Sequence, residues 1–289
     1  MNPVGLTSLA YARPFTAAQL PLLNGLRAAG LDFVDVPVPE PAELSLSELR
    51  RAIDDAGLGI ALAARMSAAR DPTAEDAGAR KTGRENLKRC VDVAVALGAR
   101  SVGGPLYGAL IAGRVPQSLD EDRRKARLKW AAGALAEAGA YAALLDVVLA
   151  VAPLNRFETD MVNTARHAVE VIELARAPGL GVLLDTFHMN IDEEDLARGI
   201  RAAGKRLVHF HAGESHRGHL GSGHVDWATV AHALASVGYA GPITLTPLRR
   251  DDERIGVPLA QWRPPACDED PEIARSAATL RKFLQAASR

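Results

Sequence analysis

"RENLKRCVDVAVALGARSVGG", residues 84–104, decides how the whole chain is read. Leu87, Cys90, Val91, Ala94 and Leu97 recur at steps of three and four. That spacing gathers apolar side chains on one helix face. Gly98 follows the last of them and stops the helix. A short β-rich run then occupies residues 100–104. A helix that hands over to a strand within a few residues is the repeating unit of α/β proteins.

The unit recurs along the chain. β-rich runs are expected at 3–8, 31–37, 58–64, 100–104, 146–152, 181–185, 206–211 and 242–246. Helical stretches are expected at 17–29, 46–56, 77–97, 119–138, 161–175, 193–203, 227–236 and 270–286. Eight strands alternating with eight helices suit a (β/α)8 TIM barrel. A doubly wound open sheet is the competitor. It is disfavoured because no Gly-rich phosphate loop follows the first strand, and because eight repeats suit closure. No low-complexity linker interrupts the pattern, so residues 1–289 read as one domain.

Composition removes several function classes. With 48% hydrophobic and 24% charged residues, the chain has an ordinary soluble make-up. A formal net charge of -1 supplies no global field to recruit nucleic acid or an anionic membrane. The N-terminus lacks the basic, apolar and small-residue pattern of a signal peptide. No run approaches the roughly 20 apolar residues of a membrane helix. The expectation is a cytoplasmic protein whose partner is a small molecule. The two cysteines, Cys90 and Cys267, form no metal or redox spacing. Cys90 lies on the apolar helix face and reads as a buried, inert thiol.

In such barrels, ligand groups stand at the C-terminal strand ends. Strand four ends in Gly103, Gly104, Pro105, Leu106 and Tyr107. Strand five runs through "VLAVAPLNRFETD", residues 148–160, where Asn155, Arg156 and Glu158 are the polar groups a pocket would use. Strand six ends in Asp185 and continues to His188 and Asn190. Strand seven gives His209, His211 and Glu214, then Arg217. Carboxylates, imidazoles and a guanidinium at successive strand ends point to a shared pocket.

Five histidines fall between 209 and 224: His209, His211, His216, His219 and His224. A His-rich metal loop is one reading of them. In a regular strand His209 and His211 share one face, about 6.8 Å apart. His216 and His219 are expected on the loop surface. Trp227, after "GHVD", is expected to pack at a helix start.

Long, ordered motifs across the chain resemble the xylose isomerase-like sugar isomerases and epimerases, especially ketose 3-epimerases of the tagatose/psicose type. They are "SLAYARPFT" (8–16), "LKRCVDVAVALGARSVGGPLY" (87–107), "PLNRFET" (153–159), "LLDTFHMNIDEED" (183–195), "HFHAGES" (209–215), "GSGHVDW" (221–227) and "QWRPPACDEDPEIARSAATLRKFL" (261–284). The resemblance implies a Mn²⁺ or Mg²⁺ site with Glu, Asp, His and Glu ligands from strands five to eight. Asp185 matches the Asp and His211 the His. The two Glu positions fall on Ala152 and Thr246. Groups matching Glu158, His188 and Arg217 contact the substrate oxygens in that family. Family members also often pair, so a homo-oligomer is compatible with the resemblance.

The two replacements bear on both metal and chemistry. A hard divalent ion wants several oxygen ligands, and Asp185 with His211 alone would hold it weakly or not at all. Glu214, His188 and Glu158 are candidate substitute ligands. In the family the two Glu residues also serve as acid and base. Alanine carries no proton, and a threonine hydroxyl is barely acidic. The candidate catalytic residues are therefore His188, Asp185, His211 and Arg217. Glu158, His188, Arg217, Tyr107 and Asn155 are the candidate substrate contacts. "GGPLYGALIAG", residues 103–113, suggests an apolar wall.

Three readings stay open. One is an enzyme with altered chemistry that isomerises, eliminates or rearranges a polar small molecule. Another is a non-catalytic binding protein. The third is a metal-dependent ketose 3-epimerase whose metal site is rebuilt from other residues.

Overall fold

In the computed structural model of the chain, eight parallel strands close in sequence order, with β8 pairing back onto β1. The strands are β1 (Val4–Thr7), β2 (Phe33–Pro37), β3 (Gly59–Ala63), β4 (Ser101–Gly104), β5 (Val148–Val151), β6 (Leu180–Asp185), β7 (Leu207–Ala212) and β8 (Ile243–Leu245). The structure describes residues 2–40, 42–111, 120–248, 256 and 269–288. Cys267, the first part of the 261–284 motif, and Ala112 and Gly113 of the expected apolar wall lie outside the described residues.

Helices pack around the barrel: α1 (Leu23–Ala28), α2 (Leu46–Asp55), α3 (Ala77–Leu97), α4 (Glu121–Leu144), α5 (Ala165–Ala175), α6 (Thr186–Asp192), α7 (Leu196–Ala203) and α8 (Trp227–Ser236). A last helix spans Glu269–Ala287. Ser45, Asp76, Asp120, Thr164, Asp195 and Asp226 each precede a helix and accept a first-turn backbone N–H. Caps of this kind are worth about 1 kcal/mol each and fix where a helix begins. Leu87, Cys90, Val91, Ala94 and Leu97 of α3 are all buried. Gly98 takes the left-handed conformation that ends the helix, with φ 70°. Burial pushes the Cys90 thiol up to about 11, so it is inert at neutral pH.

Several boundaries differ from the expectation. The 17–29 stretch is a 3-10 turn, Ala17–Leu22, containing Pro21, followed by the short α1. A proline in the interior removes the N–H a longer helix needs. The helices expected from 161 and 193 start at Ala165 and Leu196, after their capping residues Thr164 and Asp195. The helix expected at 119–138 runs on to Leu144. The stretch after Asp185, outside the expected helices, forms α6, capped by Asp185, whose carboxylate accepts the Phe187 N–H at 2.9 Å.

Period-two alternation explains what stands at the rim. Inside the barrel, Phe33 and His209 meet edge to face, and His209 Nε2 lies 2.8 Å from the Thr244 hydroxyl. Glycines make room for this layer. A Cβ on Gly5 would lie 2.5 Å from the Phe33 ring, and one on Gly103 would lie 2.4 Å from Leu183 Cδ1. Two residues along each strand, side chains point the same way. So Phe33 is followed at the rim by Asp35, Ala150 by Ala152, Leu183 by Asp185, His209 by His211 and Thr244 by Thr246.

Candidate functional site

A cavity of about 300 Å³ opens above this layer at the C-terminal strand ends. Ala152, Asp185, His211 and Thr246 all line it, as do Glu158, His188 and Arg217. Register places Asp185 of β6 beside His211 of β7. The candidate catalytic residues are therefore brought together in one place.

Arg217 organises the floor. Its Nη1 lies 2.8 and 3.1 Å from the two Asp185 oxygens and 3.0 Å from the Thr246 hydroxyl oxygen. Its guanidinium stacks 4.0 Å over the Phe187 ring. The backbone at Arg217 has φ 57°, an uncommon conformation for a residue with a side chain. It is held by bonds from Arg217 N–H to the Glu214 carbonyl and from Leu248 N–H to the Arg217 carbonyl. Gly213 leaves the space the guanidinium needs: a Cβ there would lie 2.7 Å from Thr246 Oγ1 and 2.8 Å from Arg217 Nη1.

Asp185 and His211 are charged in this setting. Burial alone would raise the Asp185 carboxyl, but the Arg217 charge and the His211 contact hold it well below the usual carboxylate range. Burial opposes the His211 cation, yet the neighbouring Asp185 and Asp35 carboxylates lift the ring to about 9. His211 Nε2 lies 3.0 Å from Asp35 Oδ2, and its Nδ1 lies 3.6 Å from Asp185 Oδ2. Asp35 thus anchors the ring from behind, as a carboxylate does for a functional imidazole. It is a buried acid in the apolar run "FVDVP", and the expected site does not include it. The signal available in the sequence is strand alternation, which turns Asp35 inward.

His188 is the neutral partner. Burial presses its ring down to about 4. The Asn155 backbone N–H and its Nδ2 both face His188 Nδ1, at 3.2 and 2.9 Å. Nδ1 therefore accepts, and the hydrogen-bond pattern assigns the ring proton to Nε2. That Nε2 lies 3.2 Å from Arg217 Nη2, which can only donate. Two donors thus converge side by side at the cavity wall.

The expected substrate contacts divide. Glu158 lies at the wall, held by Arg65 at 2.8 Å and by Asn155 Nδ2 at 3.3 Å. Asn155 itself is buried behind His188 and does not line the cavity. Its role is to orient the ring. Tyr107 is fully buried in the core, with its hydroxyl donating to the Val162 carbonyl at 3.3 Å. It does not line the cavity, so the placement expected from the loop sequence is corrected.

The remaining polar candidates also have places. Glu214 is buried beside Trp227, accepting its Nε1–H at 2.7 Å and the Gly221 N–H at 2.6 Å. It ties the β7–α8 loop to the start of α8 and lies outside the cavity lining. His216 is exposed, whereas His219 is buried rather than on the loop surface. Arg13 and Arg65 line the cavity mouth, and the expected site includes neither. Both lie beyond strand ends, where side-chain direction has no periodicity to reveal it.

The donor set does not fit the four-ligand ion that the resemblance implies. Position 152 offers a methyl group, and the Thr246 hydroxyl is already bonded to Arg217. Both Asp185 oxygens face the same guanidinium. A cation already sits against the carboxylate that would bind one.

Comparison with known proteins agrees with this fold. Residues 23–283 match the family described as "Xylose isomerase-like TIM barrel". The chain belongs to this family. Among its curated relatives, a ketose 3-epimerase of Arthrobacter globiformis is 36% identical over 217 residues, covering 75% of this chain and 73% of the relative. An L-ribulose 3-epimerase of Mesorhizobium japonicum is 32% identical over 268 residues, covering 91% and 88%. A solved L-ribulose 3-epimerase superposes with a TM-score of 0.91 at 30% identity, covering 99% of this chain and 96% of the other. A D-psicose 3-epimerase crystallised in the presence of D-fructose gives 0.89 at 26% identity, covering 98% and 99%. The family member described here is thus an isomerase/epimerase-type enzyme similar to ketose 3-epimerases. No helix among the described residues is long and apolar enough to cross a membrane.

Proposed function

We propose that this barrel moves a proton at a carbon next to a carbonyl in a sugar-like substrate, using the chain's own cation in place of the four-ligand metal. The observation that carries the reading is the pair of converging donors, Arg217 Nη2 and His188 Nε2, 3.2 Å apart. Two N–H groups facing one another are unfavourable until an acceptor lies between them. A carbonyl oxygen that gains charge as its neighbouring C–H is broken is such an acceptor. A neutral imidazole suits the donor role because it carries no charge that must be neutralised first.

The proton balance closes within the cavity. Glu158 takes the proton from carbon, and the electron pair moves onto the carbonyl oxygen held by Arg217 and His188. The resulting enediolate is reprotonated by the His211 imidazolium on another face or at the neighbouring carbon. Proton return from Glu158 to His211 restores the site. Asp185 and Asp35 keep His211 charged, and Asp185 also fixes Arg217. The products are an epimer or a positional isomer of the ketose.

The test is hydrogen–deuterium exchange at carbon, followed by NMR in D2O over a panel of ketoses with a chelator present. Exchange that persists in chelator and disappears in Glu158→Gln and His188→Ala supports the reading. Exchange seen only after Mn²⁺ is added would overturn it.

A second reading has one observation in its favour. Ligand atoms of Asp35, His209 and His211 lie within 4.8 Å of one another, and Asp35 Oδ1 and His209 Nδ1 are buried without a partner. A divalent ion there would be the rebuilt site of a metal-dependent epimerase. Restoration of activity by Mn²⁺, with loss of that response in His209→Ala, would select this reading.

A further inference from the structure

Among the described residues, the charges around the cavity do not cancel. Asp185 takes Arg217, Glu158 takes Arg65, and Asp35 takes His211. Glu40 is shared by two further cations, with its Oε1 2.7 Å from Arg70 and 3.1 Å from Arg89. Arg13 lines the same cavity and makes no ion pair among the described residues. Among the described residues, two positive charges are left over around the cavity.

Three of these guanidiniums act on one another. Arg65 is partly exposed beside Glu158, which supports its cation, while the charges of Arg13 and Arg217 oppose it. Arg13 comes from the loop after β1, Arg65 from the end of β3, and Arg217 from the loop after β7. All three line the one cavity. Like charges held together in a protein cleft indicate a missing counter-charge. A neutral sugar cannot supply it.

We infer that the substrate is a polyhydroxy carbonyl compound carrying an anionic group, a carboxylate or a phosphate, which Arg13 and Arg65 bind at the cavity mouth. This rests on the proposed carbonyl site at Arg217 and His188, because the anion then marks the far end of the same molecule. Guanidinium suits either anion, since its planar fork pairs with two oxygens at once. The adjacent Glu158 is not displaced: Arg65 Nη2 alone contacts it, leaving other donors of the fork to turn to the ligand.

The test compares three probes by calorimetry: D-fructose, D-fructose 6-phosphate and D-fructuronate. One anionic probe is expected to bind at least ten-fold more tightly than D-fructose at low salt, with the advantage shrinking at high salt. The better anion distinguishes phosphate from carboxylate. Arg13→Gln should bring that probe to the affinity of D-fructose without altering D-fructose binding, and Arg13→Lys should retain part of the advantage. If D-fructose binds as tightly as both anions, or if Arg13→Gln leaves the preference intact, the inference is wrong. Anion preference without carbon exchange would leave this inference standing and sink only the catalytic reading.

Discussion

Arg217 places Nη1 within 3.1 Å of both oxygens of the buried Asp185 carboxylate. The contact joins two elements, β6 and the loop after β7, that are 32 residues apart. Removing one member leaves a buried charge without its partner, which is strongly unfavourable. Arg217→Ala is expected to lower unfolding stability by about 3 kcal/mol in urea titration. Arg217→Lys should recover part of this, since a point charge reaches one oxygen but not the Thr246 hydroxyl as well. A loss below about 1 kcal/mol would mean that cavity water satisfies Asp185.

Metal binding gives a separate handle. Calorimetric titration of the parent protein with Mn²⁺ should show no affinity in the micromolar range. The Ala152→Glu/Thr246→Glu double variant should bind much more tightly, because it adds two oxygen ligands beside Asp185 and His211 and frees Arg217 from residue 246. Either single variant should do little. Micromolar binding by the parent would refute the assignment of Arg217 as the resident cation.

Gly213 tests the same contact by volume. A methyl group there meets Thr246 Oγ1, Arg217 Nη1 and Asp185 Oδ1 at 2.7, 2.8 and 3.1 Å. Gly213→Ala should expel the guanidinium from Asp185 at a cost of about 1–3 kcal/mol. A crystal structure of the variant with Arg217 still in place and undiminished stability would count against the packing argument.

Stability should peak near neutrality. The unfolded chain titrates its histidines near about 6.5. His211 is held at about 9 in the fold against burial, by Asp185 and Asp35. The stability it contributes is complete below about pH 6.5 and is lost as pH rises to about 9. Burial drops His188 to about 4 and His209 to about 3, so these act in the opposite sense. Below about pH 6.5 the unfolded chain takes up protons that the folded chain refuses, and stability falls. His211→Gln should flatten the alkaline limb of the stability curve. An alkaline limb identical to that of the parent would show that another group is responsible.

The barrel is legible in the sequence because its strands are short apolar runs and its helices carry their own caps. Every expected strand overlaps its observed counterpart, since β1 to β8 differ only in end residues. The seven-residue α6 is too short to show a helical period, so it falls outside the expected helices. At the rim, Asp185 and His211 are legible because strand alternation fixes their direction. Asp35 obeys the same alternation but stands as one acid in an apolar run. Tyr107, Arg13 and Arg65 lie past strand ends, where backbone direction depends on tertiary contacts that local spacing does not encode.

A guanidinium delivered by the chain has a property no dissolved ion shares. An ion's occupancy follows its free concentration and its affinity by mass action. Arg217 arrives by folding, so every folded copy carries the charge against Asp185 in a fixed ratio of one to one. The Asp185 carboxylate thus has its counter-charge in every folded copy. That charge is set in place when the loop after β7 closes over β6, in the same step that forms the barrel rim.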